Sequence, residues 1–413
     1  MTRSTFLLRS WFTILALIIM GGLYAAFQVF TKGLVVTNLT DLVPWGLWIA
    51  IDLSSIALAA GAFSLCALVY LVGLKEYEPV AKTATFVGIV CYTMAMLCLL
   101  MDVGRPDRFW HGFVYWNIHS VLWEVTMCVG LYFSVLLLET MPIIADMDWF
   151  QKLFPKLSKP MRHIHHYSPI LAIFGLGFSM LHQSSLGATY GVMIARPIWF
   201  RPNLSVLFIY SAVLGGIALT LFVSMLAARL TPRANVDDRL ISKLAKALGW
   251  GLAGYLYFRF WDTFAMNYTY QPGRTEGLQI LTQGSLAFNF WIIEVALGMV
   301  FPMIVFLNGR LRQNHVIRMI ALICVSAGVA AYRWDINLVG QLIVLTYLPH
   351  EIIARYTSYF PSLIEFMVGG AVIAYGLLGI TIGVRYLNIV DHKAAPHAHE
   401  VKQPVTAVPA STD

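Results

Sequence analysis

The sequence predicts an all-α integral membrane protein, with ten transmembrane helices arranged as two four-helix bundles (helices two to five and six to nine) flanked by helices one and ten. Composition is the first observation behind this. Of 413 residues, 59% are hydrophobic and 12% are charged, and the mean hydropathy is +0.71. A soluble domain needs about a quarter of its residues charged to cover its surface, so an ordinary soluble fold is excluded. The second observation is segmentation, because the apolar residues fall into ten windows of roughly 20 residues, the length that crosses a bilayer as a helix. The third is a loose internal repeat. Leu122-Trp123-Glu124-Val125 resembles Trp291-Ile292-Ile293-Glu294-Val295, and Met101-Asp102 followed by Arg105 has a rough counterpart in Arg259-Phe260-Trp261-Asp262.

The windows lie near residues 10–31, 46–74, 83–102, 120–140, 169–189, 204–228, 248–268, 286–308, 316–332 and 362–384, and they are numbered helices one to ten. Helix one follows Arg3 and Arg9 as a signal peptide would, but its apolar run is too long and ends without an A-x-A site, so it reads as a retained anchor. Helices two to five give a first bundle at about 46–189, and helices six to nine a second at about 204–332, together forming one membrane domain over 1–390. Between helices nine and ten, the apolar run Ile336–Leu348 is too short to span, which predicts an interfacial or re-entrant segment. Residues 391–413, rich in Pro, Ala, His and Thr, read as a disordered cytoplasmic tail.

Charge sets the expected orientation. Of the 28 Lys and Arg, 19 fall at the N-terminus, in the tail or in the segments after helices two, four, six and eight; basic loops stay inside, so both termini are expected in the cytoplasm. The net charge of +7 is thus a membrane signature and does not indicate nucleic acid. The longer loops at 102–119, 190–203, 267–285 and 333–361 then face outward. All five cysteines lie in apolar stretches without metal-ligand spacing, and they read as small apolar side chains.

An ionisable group inside a span is costly enough to be a functional candidate by default. Asp52 on helix two and His182 on helix five both lie roughly 10 Å below the outer end at 1.5 Å per residue. Asp102 closes helix three on that side and Glu124 opens helix four there, while Gln183, Ser184 and Ser185 add hydrogen-bonding groups beside the imidazole. Taken singly, such groups serve equally well as interhelical glue. Four at one depth describe a pocket that exchanges protons with a polar head group, and Trp48 offers a ring to pack against it. A quinone has that chemistry. In the second bundle Arg259 and Asp262 stand three residues apart and can pair as a structural salt bridge; with Glu294, Arg333 and Asp335 they can instead form a buried proton path.

Haem is not expected, because bis-histidine ligation needs two facing intramembrane histidines and only His182 lies well inside a span. His163, His165 and His166 read as a solvated basic loop beside Arg162, so no metal is expected and no iron–sulfur cluster either. A secondary transporter or proton channel is the alternative class, since buried carboxylates, an Arg and a repeat suit it too.

Three stretches carry a family resemblance: Asp102-Val-Gly-Arg-Pro-Asp-Arg-Phe-Trp110 with Trp123-Glu124 after it, Leu181-His182-Gln183-Ser184-Ser185-Leu186-Gly187, and Arg196-Pro197-Ile-Trp199. They resemble the NrfD-like polysulfide reductase membrane-subunit family, in its ten-helix branch with the membrane subunits of hydrogenase, of the sulfite-reduction-associated complex and of menaquinone reductase. The resemblance implies a subunit without a redox centre of its own in a bacterial or archaeal cytoplasmic membrane. It implies electron exchange between menaquinone and a periplasmic, ferredoxin-like iron–sulfur partner in anaerobic respiration, with a further catalytic subunit and a multihaem cytochrome c as other candidate partners. It places His182 and Asp102 near the quinone oxygens, lines the pocket with Asp52, Trp48 and Ser184, and makes Arg105 the anchor of the motif loop. Glu124, Asp262, Arg259 and Glu294 become the proton-path candidates.

Overall fold

The computed structural model describes residues 3–390 apart from 233, 269 and 388; the predicted tail at 391–413 lies outside the described residues. The chain is nearly all helical. Nine helical segments among the described residues are long and apolar enough to cross a membrane, which makes this a multi-pass integral membrane protein. Helix seven, Asp238–Ala265, has 28 residues but falls short on apolarity. Its first turns carry Asp238, Arg239, Lys243 and Lys246, and its last carry Arg259 and Asp262.

Helix one is Arg3–Lys32 and helix ten Leu363–Tyr386. Helix two breaks at Ala60 into Leu47–Ala59 and Gly61–Tyr70. A Cβ on Gly61 would lie 2.3 Å from the carbonyl carbon of Gly216 on helix six, so two backbones touch at the break and only glycines permit it. Helices three (Glu78–Asp102), four (Val121–Ala145) and five (Ser168–Gly191) complete one four-helix group, each packed on its neighbours. Helices six (Asn203–Leu230), seven, eight and nine form the other. Helix eight is wound as a π-helix over Asn289–Val300 before continuing as Phe301–Leu307. Helix six bridges the groups, packing on helices two, five, nine and seven. Helices one and ten pack on each other; helix ten lies against helices two and three, and helix one touches helix three. They therefore cover the first bundle from one side and do not bracket the pair of bundles.

Ile336–Leu348, expected as a separate interfacial or re-entrant segment, is instead divided between helix nine and a hairpin. Helix nine runs on as His315–Leu342, and the chain then forms a β-hairpin of Ile343–Tyr347 (β1) and Ile352–Tyr356 (β2). The extension follows from polar residues on its inner face. Gln341 accepts from the Trp45 backbone N–H at 2.9 Å and donates to the Trp45 carbonyl at 2.7 Å, while Asn337 donates to that same carbonyl at 2.8 Å. These bonds satisfy backbone groups at the entry to helix two that no helix could satisfy. Arg196 adds bonds to the carbonyls of Leu42 (2.8 Å) and Gln341 (3.0 Å), and Trp199 donates to Ile336 O at 2.6 Å. The Arg196-to-Trp199 stretch is thus a clasp between helices two and nine at the hairpin end.

Candidate functional site

Two polar centres lie toward the hairpin end, one in each helix group. In the first, helix five buries His182, which is 1% exposed, and helix two buries Asp52, which is 3% exposed. The imidazole Nδ1 lies 3.2 Å from the Tyr92 hydroxyl on helix three, and that hydroxyl also donates to Val129 O at 3.3 Å. A phenol has one proton. With the proton on Val129 O, the Tyr92 oxygen accepts from Nδ1–H, which leaves Nε2 as a bare acceptor. Among the described residues, Nε2 has no hydrogen-bond partner and is buried, and the same holds for Asp52 Oδ1 and Asp102 Oδ1. Asp52 interacts electrostatically with Asp102 and with Tyr92, and Tyr190 with both carboxylates, so helices two, three and five converge here. Buried polar atoms in proteins are nearly always satisfied, and orphans at His182 and Asp52, with a third at Asp102 about 15 Å beyond Tyr92 along helix three, mark a place for a polar ligand. Quinone oxygens or quinol hydroxyls can meet such groups.

Other residues expected at this site are placed differently. Trp48 is fully buried, but its Nε1 donates to Glu365 O on helix ten at 3.0 Å, and its ring packs with Cys98, Met101, Val368 and Val372. It fastens helix ten to helix two. Ser184 turns away from His182, since two residues along a helix is about 200°. Its hydroxyl donates to Leu181 O at 2.9 Å and its carbonyl accepts from Ser205 on helix six. Ser185, three residues from His182 and so nearly on its face, is buried with an unbonded hydroxyl. Arg105 is exposed and pairs with Asp107 at 3.0 Å within its own loop. That pairing raises the arginine pKa and lowers that of Asp107. The loop turns at Gly104, whose φ of 71° is a left-handed conformation that glycine adopts freely. Glu124 is half-buried in the first turn of helix four and touches none of the other three.

Residues beyond the sequence reading complete the picture. Tyr92 was visible only as one more aromatic in an apolar helix. Glu365 is 1% exposed. It caps helix ten, receives the Tyr359 hydroxyl, and accepts from the backbone N–H of Asn38 at 3.0 Å and of Ser362 at 2.8 Å. Its signal was the Ser-x-x-Glu capping box at Ser362. Glu139, near the far end of the helix-four window, has a buried Oε1 with no hydrogen-bond partner among the described residues.

The second centre gathers Arg259, Asp262 and Glu294. Arg259 grips Glu294 through Nε at 2.6 Å and a terminal nitrogen at 3.4 Å, and through the other terminal nitrogen it reaches Asp262 at 3.3 Å. Asp262 also pairs with Arg201 at 2.9 Å, an arginine the sequence placed in an outer loop. The result is a buried chain Glu294–Arg259–Asp262–Arg201. Asp335 stands beside it, accepting from Asn289 at 2.7 Å. Arg333 does not join: being two residues from Asp335, it points the other way, toward helices five and six.

Fold and sites together define a class: a polytopic membrane protein holding a hydrogen-bonding cluster in one helix group and a buried ion network in the other. More particularly, residues 35–345 match the family described as "Polysulphide reductase, NrfD", and the protein belongs to that family. It is 34% identical over 386 residues to the menaquinone reductase integral membrane subunit of Nitratidesulfovibrio vulgaris, covering 90% of each of the two proteins. It is 26% identical over 398 residues to the Hdr-like menaquinol oxidoreductase integral membrane subunit of Archaeoglobus fulgidus, covering 94% of this protein and 95% of that one. Protein NrfD of Escherichia coli is 25% identical over 316 residues, 73% of this protein and 96% of its own length.

Proposed function

We propose that this protein is the quinone-reactive membrane subunit of a multi-subunit respiratory oxidoreductase, not catalytic alone, passing electrons between menaquinone and an iron–sulfur partner on the periplasmic side. The observation that carries the reading is the trio of buried, unpartnered atoms at His182 Nε2, Asp52 Oδ1 and Asp102 Oδ1, in a protein whose relatives include a menaquinone reductase subunit. The hairpin end is taken as periplasmic from the basic-residue bias, with the termini in the cytoplasm of a bacterial or archaeal cell. Its loop at 109–118 exposes Phe109, Trp110, Tyr115 and Trp116, aromatic surface of the kind a docking subunit covers.

The quinone, when bound, supplies two-electron, two-proton chemistry. His182, held at Nδ1 by Tyr92, presents Nε2 as the proton acceptor or donor for a quinone oxygen. Asp52 and Asp102 are placed to pass that proton toward the end of helix three, and Glu124 is the candidate for its release to solvent. Helices one and ten cover this side of the bundle. The Arg259, Asp262 and Glu294 network is the candidate route for protons through the second bundle, with Glu139 as an acid nearer the cytoplasmic side of the first.

The test is equilibrium binding of a fluorescent quinol analogue to the purified protein. Binding lost in His182→Ala and kept in Asp262→Asn supports the reading. Wild-type protein that is folded and yet binds no analogue would refute it, and ion-flux assays would then examine the transporter or channel alternative.

A further inference from the structure

Arg333 on helix nine is 0% exposed, yet among the described residues it pairs with no carboxylate. One terminal nitrogen meets three neutral acceptors: Phe208 O at 2.9 Å, Ser211 Oγ at 3.1 Å and Gln183 Oε1 at 3.2 Å. Its Nε and other terminal nitrogen have no hydrogen-bond partner among the described residues. The guanidinium lies 3.6 Å from the centre of the Phe208 ring, which offers quadrupole attraction but no charge. The contrast with Arg259 is direct, since that cation has two carboxylates within ion-pair distance. A lone buried cation is costly to keep, and its field in a low-dielectric interior is correspondingly strong.

The placement of this charge relative to the first centre is specific. Gln183 accepts from Arg333 while donating to Ile56 O on helix two at 3.2 Å, so the cation is tied to the residue next to His182. Tyr190 on the same helix interacts electrostatically with both Arg333 and Asp52. The guanidinium therefore stands one side chain behind the site, on the second-bundle side. Helix seven's carboxylate, Asp262, is already engaged by two arginines.

We infer that Arg333 is an electrostatic positioning residue for the quinone site: an uncompensated cation, linked through Gln183, that stabilises negative charge on the bound head group. This rests on the quinone reading above. Quinone reduction takes two electrons, here from a reduced iron–sulfur partner, and two protons from the protein, to give quinol. When an electron precedes a proton, a head-group oxygen carries the negative charge, and Arg333 opposes its cost without touching the ring. The same field biases the site toward anionic ligands of quinone shape.

The experiment compares two probes of similar size in full-length protein in lipid nanodiscs: 2-hydroxy-1,4-naphthoquinone, an anion at neutral pH, and neutral 2-methyl-1,4-naphthoquinone. Arg333→Met should lower the ratio of anionic to neutral affinity at least tenfold, with Arg333→Lys retaining most of it. Ser211→Asp, which sets a carboxylate beside the guanidinium, should lower the ratio in the same way with Arg333 in place, and it carries the test if Arg333→Met does not fold. An unchanged ratio in both variants, or equal weakening of both probes, would overturn the inference and leave Arg333 a packing residue. If neither probe binds wild type, the quinone reading itself fails, and this inference with it.

Discussion

Replacing Arg259 alone should cost far more stability than replacing Arg259 and Glu294 together. In Arg259→Met, Glu294 loses both of its contacts to a cation, at 2.6 and 3.4 Å, while remaining 0% exposed. Removing one partner of a buried pair typically costs about 3–5 kcal/mol, because a charge is stranded. Asp262 does not add to this, since Arg201 still holds it at 2.9 Å. In Arg259→Met with Glu294→Met no charge is stranded, and the Phe290 and Tyr332 rings, each 5.1 Å from the guanidinium carbon, give the thioethers an apolar and aromatic bed. The double variant should therefore lie within about 2 kcal/mol of wild type. Reversible unfolding in mixed micelles, titrated with SDS and followed by circular dichroism, reads both values. Additive losses, or a single variant costing under about 1 kcal/mol, would mean that the pair is not a buried unit and that the ion network is misassigned.

Three further outcomes are expected. Tyr92→Phe removes the hydroxyl that accepts from His182 Nδ1; at about 0.5–1.5 kcal/mol for one hydrogen bond, quinol-analogue affinity should fall roughly 2- to 12-fold, and nitrogen-15 spectra of His182 should show mixed tautomers. Gln341→Leu strands the backbone N–H of Trp45 that Gln341 now satisfies, while Asn337 still holds the Trp45 carbonyl, costing about 1–3 kcal/mol, to be measured in the same micelle titration. Gly216→Leu forces a side chain into the Gly61 backbone, where even a Cβ would lie 2.1 Å from the Gly61 nitrogen, and should abolish folded protein by size-exclusion chromatography.

The membrane class, the spans and the two centres were legible because hydrocarbon imposes a strong rule: apolar runs of fixed length, with every polar exception meaningful. Asp52, Asp102, His182, Arg259, Asp262 and Glu294 all stood out as such exceptions, and the structure groups them into two centres. Facing within a helix was harder to read. Ser184 and Ser185 differ by one residue, yet only Ser185 shares the side of His182, and Arg333 parts from Asp335 for the same angular reason. Tertiary partners were hidden from the sequence altogether. Helix nine outruns its apolar window because Asn337 and Gln341 find the backbone of Trp45, a contact nearly 300 residues distant. Tyr92 was likewise invisible, since a tyrosine in an apolar helix is ordinarily core, and Arg201, which does lie in a loop, gave no sign that its partner is Asp262 on helix seven.

The central claim is that a quinone head group occupies the first helix group beside His182. Photoaffinity labelling with an azido-naphthoquinone carrying a prenyl tail, followed by peptide mapping, tests it most directly. The account predicts adducts on the hairpin-end portions of helices two, three and five, around Asp52, Met101 and His182, competed away by menaquinone. Competable adducts confined to helices seven to nine, around Arg259 and Glu294, would contradict it.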